Sequence, residues 1–188
     1  TTKTDKVETN FTLQDAKKTR AFWMFGLTLA FNSFFITGFT FHVVSIFGSQ
    51  DYSKTQAIAV FVPIAVIAIS VSTLCNILSD YISHKIYLYI MLASGVLASL
   101  GLLFLSQTFG VYMLMTGLGV FGGLFAVVNA VTWPRFFGRK YLGAITGKVM
   151  SFLVIASAVA PSLFSYCFTN LGSYSYISYV TLAFLLFL

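Results

Sequence analysis

Ionisable and amide side chains are few inside the apolar stretches of this chain. They are His42, Lys148 and the amides Asn32, Asn76 and Asn129. Such groups are costly in hydrocarbon, so each is a functional candidate by default. Helical spacing sets Phe31, Phe35, Gly38 and Phe39 near the face of His42, with Thr28 and Ser45 extending it. An aromatic-lined face with one imidazole suits a solute cavity, and the imidazole can carry or relay a proton. The plainer alternative is a packing histidine bonded to a carbonyl. Lys148 opens a stripe in which Ser151, Ile155, Ala158, Ser162 and Ser165 recur at steps of three and four. That small, polar face could line an aqueous path and attract anions. Alternatively, Lys148 reaches back to the membrane interface and lays its stem along apolar surface. No Asp or Glu shares these stretches, so an uncompensated positive charge there would favour a small anionic or zwitterionic solute, moved together with a proton through His42.

The elements that must hold these residues are membrane helices. The chain is 58% hydrophobic and 9% charged, against about 25% charged in soluble domains. A span needs roughly 20 apolar residues to cross about 30 Å of hydrocarbon. Segments 22–47, 56–78, 86–105, 109–133 and 144–168 meet this, and a sixth begins near Ser175. In lipid, runs of this length close their own backbone hydrogen bonds only as helices. Short polar loops at 48–55, 79–85, 106–108, 134–143 and 169–174 make neighbouring helices antiparallel and adjacent. Gly119 and Gly123 form a GxxxG pair that permits close helix packing. Pro63 and Pro161 are expected to kink or interrupt their spans.

Lys17, Lys18 and Arg20 precede the first span, with Lys3 and Lys6 further upstream. Lys85, Arg135, Arg139 and Lys140 fall in loops on the same side, whereas Lys54 alone occupies a loop on the other. Basic loops stay in the cytoplasm, so the N-terminus is expected there. This topology accounts for the net charge of +6 without nucleic acid. Residues 1–21 read as a cytoplasmic linker and interfacial helix, the latter over Phe11–Trp23, and residues 22–188 as the helix bundle. The opening Thr1 and the closing apolar run 180–188 suggest a fragment of a longer protein. Cys75 and Cys167 fall at opposite depths, so no disulfide is expected. No Cys/His cluster suggests a metal, no Gly-rich phosphate loop suggests a nucleotide, and no nucleophile has a base beside it. Neither enzyme nor cofactor is expected.

Two loops carry a resemblance. Trp133-Pro-Arg-Phe-Phe-Gly-Arg-Lys-Tyr-Leu-Gly-Ala-Ile-Thr-Gly147 resembles the inner loop between helices ten and eleven of the major facilitator superfamily. Asn76-Ile-Leu-Ser-Asp-Tyr-Ile-Ser-His-Lys85 is similar to that superfamily's inner-loop signature, Gly-x-x-x-Asp-x-x-Gly-Arg-Arg in outline. Asp80 and Lys85 match it, while Asn76, Ser83 and His84 stand where two glycines and an arginine would. The resemblance implies an all-α, six-helix half of a twelve-helix transporter, helices seven to twelve, in which spans one, two, four and five surround the path. Its flow of loops looks most like bacterial carriers of monocarboxylates and oxalate–formate, implying the inner (plasma) membrane and a symporter or antiporter. The path candidates among the span residues, read from their chemistry and spacing, are His42, Phe35, Phe39, Asn32, Asn129, Lys148 and Ser151. The implied cytoplasmic gate is Asp80, Lys85, Arg135 and Arg139. The implied partners are the lipid bilayer, a missing N-terminal six-helix half, a small solute and a proton. A transporter-like sensor or scaffold that moves nothing is the competing expectation.

Overall fold

The computed structural model describes residues 10–79 and 81–188. Among these residues the regular structure is all helix: α1 (Leu13–Lys17), α2 (Arg20–Gly48), α3 (Lys54–Ala59), α4 (Phe61–Leu78), α5 (His84–Leu103), α6 (Thr108–Phe137), α7 (Leu142–Leu171) and α8 (Ser175–Phe187). Taking α3 and α4 together, five segments are long and apolar enough to cross a membrane, and α8 is a shorter apolar helix.

The expected interfacial helix over Phe11–Trp23 is cut in two. Thr12 caps α1 by accepting from the Asp15 amide. Thr19 then adopts an extended conformation and caps α2 through the Phe22 amide at 3.3 Å. A threonine hydroxyl satisfies a first-turn amide best from an extended position, so a helix starts there rather than continuing through it. Trp23 Nε1 donates to the Lys17 carbonyl at 2.8 Å and folds α1 back onto α2. The Phe11 amide donates to the Phe137 carbonyl at 3.0 Å. The Lys140 amide donates to Asn10 Oδ1 at 3.1 Å. The N-terminal segment is thereby fastened to the basic α6–α7 loop.

Of the three prolines, Pro134, expected at the start of a loop, lies inside α6, which continues to Phe137, and the two expected within spans act differently. The second span breaks at Val60, three residues before Pro63. Pro63 offers no amide to the Ala59 carbonyl, yet it is tolerated in the first turn of α4. Pro161 was expected to interrupt its span, but α7 runs unbroken from Leu142 to Leu171. The flanking turns carry the helix across the missing bond.

Packing centres on α6, which lies against α4 on one side and α5 on the other, while α2 pairs with α7 and α8 lies on α5. Glycines set both α6 contacts. A Cβ on Gly117 would stand 2.5 Å from the Ala98 amide nitrogen of α5, and one on Gly123 2.6 Å from the Ala68 carbonyl oxygen of α4. Aromatic rings join the two groups of helices. Phe31 of α2 lies 5.7 Å from Phe121 of α6 and 5.7 Å from Phe184 of α8. Towards the α1 end, Phe22 meets Trp133 at 6.1 Å and Phe25 meets Phe136 at 5.5 Å. Each such pair contributes about 0.5–1.5 kcal/mol beyond area burial.

Backbone contact at these glycines can be tested directly. Gly117→Ala should lower stability by about 1–3 kcal/mol because the neighbour is main chain and cannot step aside. Gly122→Ala, whose Cβ would meet nothing closer than 4.0 Å, should be neutral or stabilising by up to about 1 kcal/mol. Thermal unfolding in detergent compares them; equal midpoints would reject the packing account.

Candidate functional site

His42 occupies the α2 turn facing the start of α8. Its Nδ1 donates to the Gly38 carbonyl at 3.1 Å, leaving Nε2 to take a second proton. Its ring stacks on Phe164 of α7 at 5.8 Å and tilts on Tyr174 at 6.0 Å. Gly38 makes this possible, because a side chain there would collide with the Phe164 ring. Tyr174 donates to Ser45 Oγ at 2.8 Å, and burial pushes its phenol up, so it stays a donor. His42 shares an open cleft with Ser162, Ser165 and Thr169 of α7. The structure thus joins the imidazole to the outer part of the polar α7 stripe. Ser151, Ile155, Ala158, Ser162 and Ser165 are all exposed, turned away from the rest of the bundle.

Lys148 lies elsewhere. Its Nζ sits over the Phe152 ring at 5.3 Å, and Phe152 stacks on Trp23 at 5.7 Å. Phe164, which carries the His42 ring, is about 24 Å further along α7 at 1.5 Å per residue. His42 and Lys148 therefore do not converge on one small solute, contrary to the expectation that they point into a shared space. Ser151 donates to the Gly147 carbonyl at 3.1 Å, within its own helix.

Phe35 and Phe39, expected on the path, are both fully buried. Phe35 packs on Phe31 and Phe164, and Phe39 on Phe47 and Phe61. Their face of α2 is covered by helices, so in this conformation they are core. Asn32 is also buried. Asn129 lies one turn from Trp133, whose Nε1 is 3.5 Å from Asn129 Oδ1. Asn129 thus belongs to the α1 end of α6.

At that same end Arg135 ties α6 to the α4–α5 connection. One Nη donates to the Ser79 carbonyl at 2.7 Å and lies 3.2 and 3.3 Å from the two ring nitrogens of His84. Arginine has only donors, so a His84 nitrogen accepting from it must be unprotonated. Tyr87 adds a bond to the Cys75 carbonyl at 2.9 Å. Lys85 and Arg139 are exposed, and neither forms an ion pair among the described residues. Asp80 lies outside the described residues.

A side-chain contact that the sequence reading missed lies in mid-span. Ser33 Oγ of α2 and Ser157 Oγ of α7 are 2.8 Å apart, and Thr37 Oγ1 donates to Ser157 Oγ at 3.4 Å. A readable signal existed: Ser157 is four residues before Pro161, whose missing amide deprives the Ser157 carbonyl of its helical donor.

The chain's sequence matches the family model of the Major Facilitator Superfamily over residues 2–161. The chain belongs to this superfamily. No curated protein matches it, so no relative's solute informs the site. As a member of the superfamily it is an integral, multi-pass membrane protein of transporter type.

The arginine tie makes a specific prediction. A hydrogen bond from a charged group contributes about 1.5–3 kcal/mol, discounted to about 1 kcal/mol for the exposed Arg135. Arg135→Ala should speed amide exchange through residues 81–87 about fivefold, leaving the first turns of α2 unchanged. Unchanged exchange at 81–87 would show that the tie does not hold the loop.

Proposed function

We propose that this chain is the helix-seven-to-twelve half of a secondary transporter that works by alternating access, and that it carries a small organic anion such as a monocarboxylate. The observation carrying the reading is the outward-facing polar stripe of α7, which meets His42 in one cleft. A superfamily member with an ionisable residue on a hydroxyl-lined face has the chemistry of a solute path. His42 stands near one end of that path and Lys148 near the other. With no carboxylate in the described spans, each favours a passing anion. Ser151 stands one turn from Lys148, and Asn129 belongs to the same end of the bundle. The second proton that His42 Nε2 can accept would couple solute movement to a proton gradient.

The basic loops argue for a cytoplasmic N-terminus, in a bacterial plasma membrane. Residues 1–21 then form the cytoplasmic linker and its short interfacial helix, and residues 22–188 the bundle. In that orientation the Arg135 tie is cytoplasmic, and Arg135, Lys85, Arg139 and Asp80 are the residues we assign to the gate toward an N-terminal half. α4 and α7 bury the least of their surface among the long helices, which leaves them available to such a partner.

The test is uptake of acetate, lactate, pyruvate and oxalate into proteoliposomes holding the full protein, at several pH values. His42→Ala should flatten the pH dependence, and Lys148→Ala should reduce uptake about tenfold, the effect of removing about 1.4 kcal/mol of attraction. Wild-type uptake and pH dependence in both variants would reject the anion reading. No flux of any kind would favour a sensor or scaffold. Thiol labelling of the Arg135–Lys140 loop from outside would reverse the orientation.

A further inference from the structure

The α2–α7 contact has two flanks of unlike chemistry. On the α8 side lies a hollow of about 360 Å³ lined by Phe31, Phe34, Phe152, Ile155, Val180 and Phe184 among others. It offers almost no polar atom with which to recognise a solute. On the opposite flank is an open groove lined by Ser33, Met150, Leu153, Val154, Ser157 and Ala158. There the Ser33, Thr37 and Ser157 hydroxyls meet.

Three observations set this cluster apart. First, hydroxyls in these spans commonly satisfy themselves on their own helix. Thr28 donates to the Met24 carbonyl, Ser70 to Val66, Thr146 to Leu142 and Thr181 to Ile177. Ser33, Thr37 and Ser157 bond across helices instead. Second, Pro161 supplies no amide to the Ser157 carbonyl, which thereby loses its i+4 helical donor. In a membrane, a carbonyl freed in this way gains from a donor supplied by a neighbouring group, by water or by a solute. Third, the charged side chain nearest in sequence within the described spans, Lys148, is about 13 Å away along α7. The cluster therefore offers donors and acceptors without net charge.

We infer that Ser33, Thr37, Ser157 and the Ser157 carbonyl form a water-accessible, mid-membrane binding station for an uncharged hydrogen-bonding group of the solute: a hydroxyl, an amide or a protonated carboxyl. The hydroxyls donate to the solute's oxygen, and the carbonyl accepts its O–H or N–H. This rests on the transporter reading and adds to it a contact between the two ends marked by His42 and Lys148. It also restricts the form in which a carboxylate is held there, because an anion would find no countercharge at the station itself.

The test uses the full protein with Cys75 and Cys167 replaced by alanine. The thiolate, which forms in contact with water, attacks the sulfenyl sulfur of a water-soluble methanethiosulfonate reagent and expels methanesulfinate, leaving a mixed disulfide. Ser157→Cys and Ser33→Cys should be labelled at least tenfold faster than Ala160→Cys, whose position is fully buried. Separately, Ser157→Ala should raise KM about fivefold, the value of one hydrogen bond. The probes are the carboxylates above together with uncharged lactamide and glycerol. Ser157→Thr, which keeps the hydroxyl, should restore KM. Labelling no faster than at Ala160→Cys overturns the station, and so does an unchanged KM for every transported probe. Labelling decides even where no carboxylate is carried, so failure of the anion reading and failure of this one are told apart.

Discussion

Lipid tails are as apolar as leucine, so the helices of this bundle gain little by hiding leucines from their surroundings. What they gain comes from fit. α6 can approach α5 and α4 closely because its glycines face both: Gly117 lies against the Ala98 backbone, and Gly123 against the Ala68 carbonyl. Dispersion falls steeply with separation, so removing side chains from the contact brings many more atoms into range. The remainder of the architecture depends on this closeness. With α6 pinned between its neighbours, Phe121 is fixed as the surface on which Phe31 of α2 rests. α7 in turn rests on α2.

The same scarcity of driving force explains how the polar groups are arranged. A hydroxyl in hydrocarbon must find a partner, and its own preceding turn is the nearest. Thr28, Ser70, Thr146 and Thr181 take that solution. Where a hydroxyl or ring nitrogen bonds elsewhere, it marks a join between elements. Tyr174 joins the start of α8 to Ser45 of α2, Arg135 joins the end of α6 to Ser79, and Ser33 joins α2 to Ser157 of α7. These joins fall at one end, the other end and the middle of the bundle.

Much of the fold was legible because length and hydropathy alone decide a membrane helix. The five long spans lie where the apolar runs lie, and the GxxxG pair was readable as a packing motif. Which neighbour it packs on was not readable, because Gly119 and Gly123 lie against α4 while Gly117, two residues before the pair, lies against α5. The face of α2 was equally opaque. Aromatic residues surround that helix, so nothing in their spacing says that Phe35 and Phe39 are enclosed while His42 meets a cleft. The polar stripe of α7 was readable, because its hydroxyls recur against an apolar background, and it does face away from the bundle. Pro161 suggested a break at a place where the structure keeps the helix. A single missing amide removes one bond, and the turns on either side continue through it. The consequence is local, a carbonyl without its i+4 amide on the helix where Ser157 Oγ meets Ser33.

The separation of His42 from Lys148 changes how charge can act here. A pair of cations around one solute would have defined a strong anion site, with specificity held in two long side chains. Instead, each side chain is backed by an aromatic ring, His42 by Phe164 and Lys148 by Phe152. A ring face attracts the lysine's positive charge through its quadrupole. It stabilises that charge without neutralising it. Between them lie the Ser33, Thr37 and Ser157 hydroxyls, whose O–H dipoles reorient at little cost. On the proposed path, attraction at the ends and weak, neutral bonding in the middle would favour passage over retention, since a solute bound tightly in mid-membrane would leave slowly toward either side.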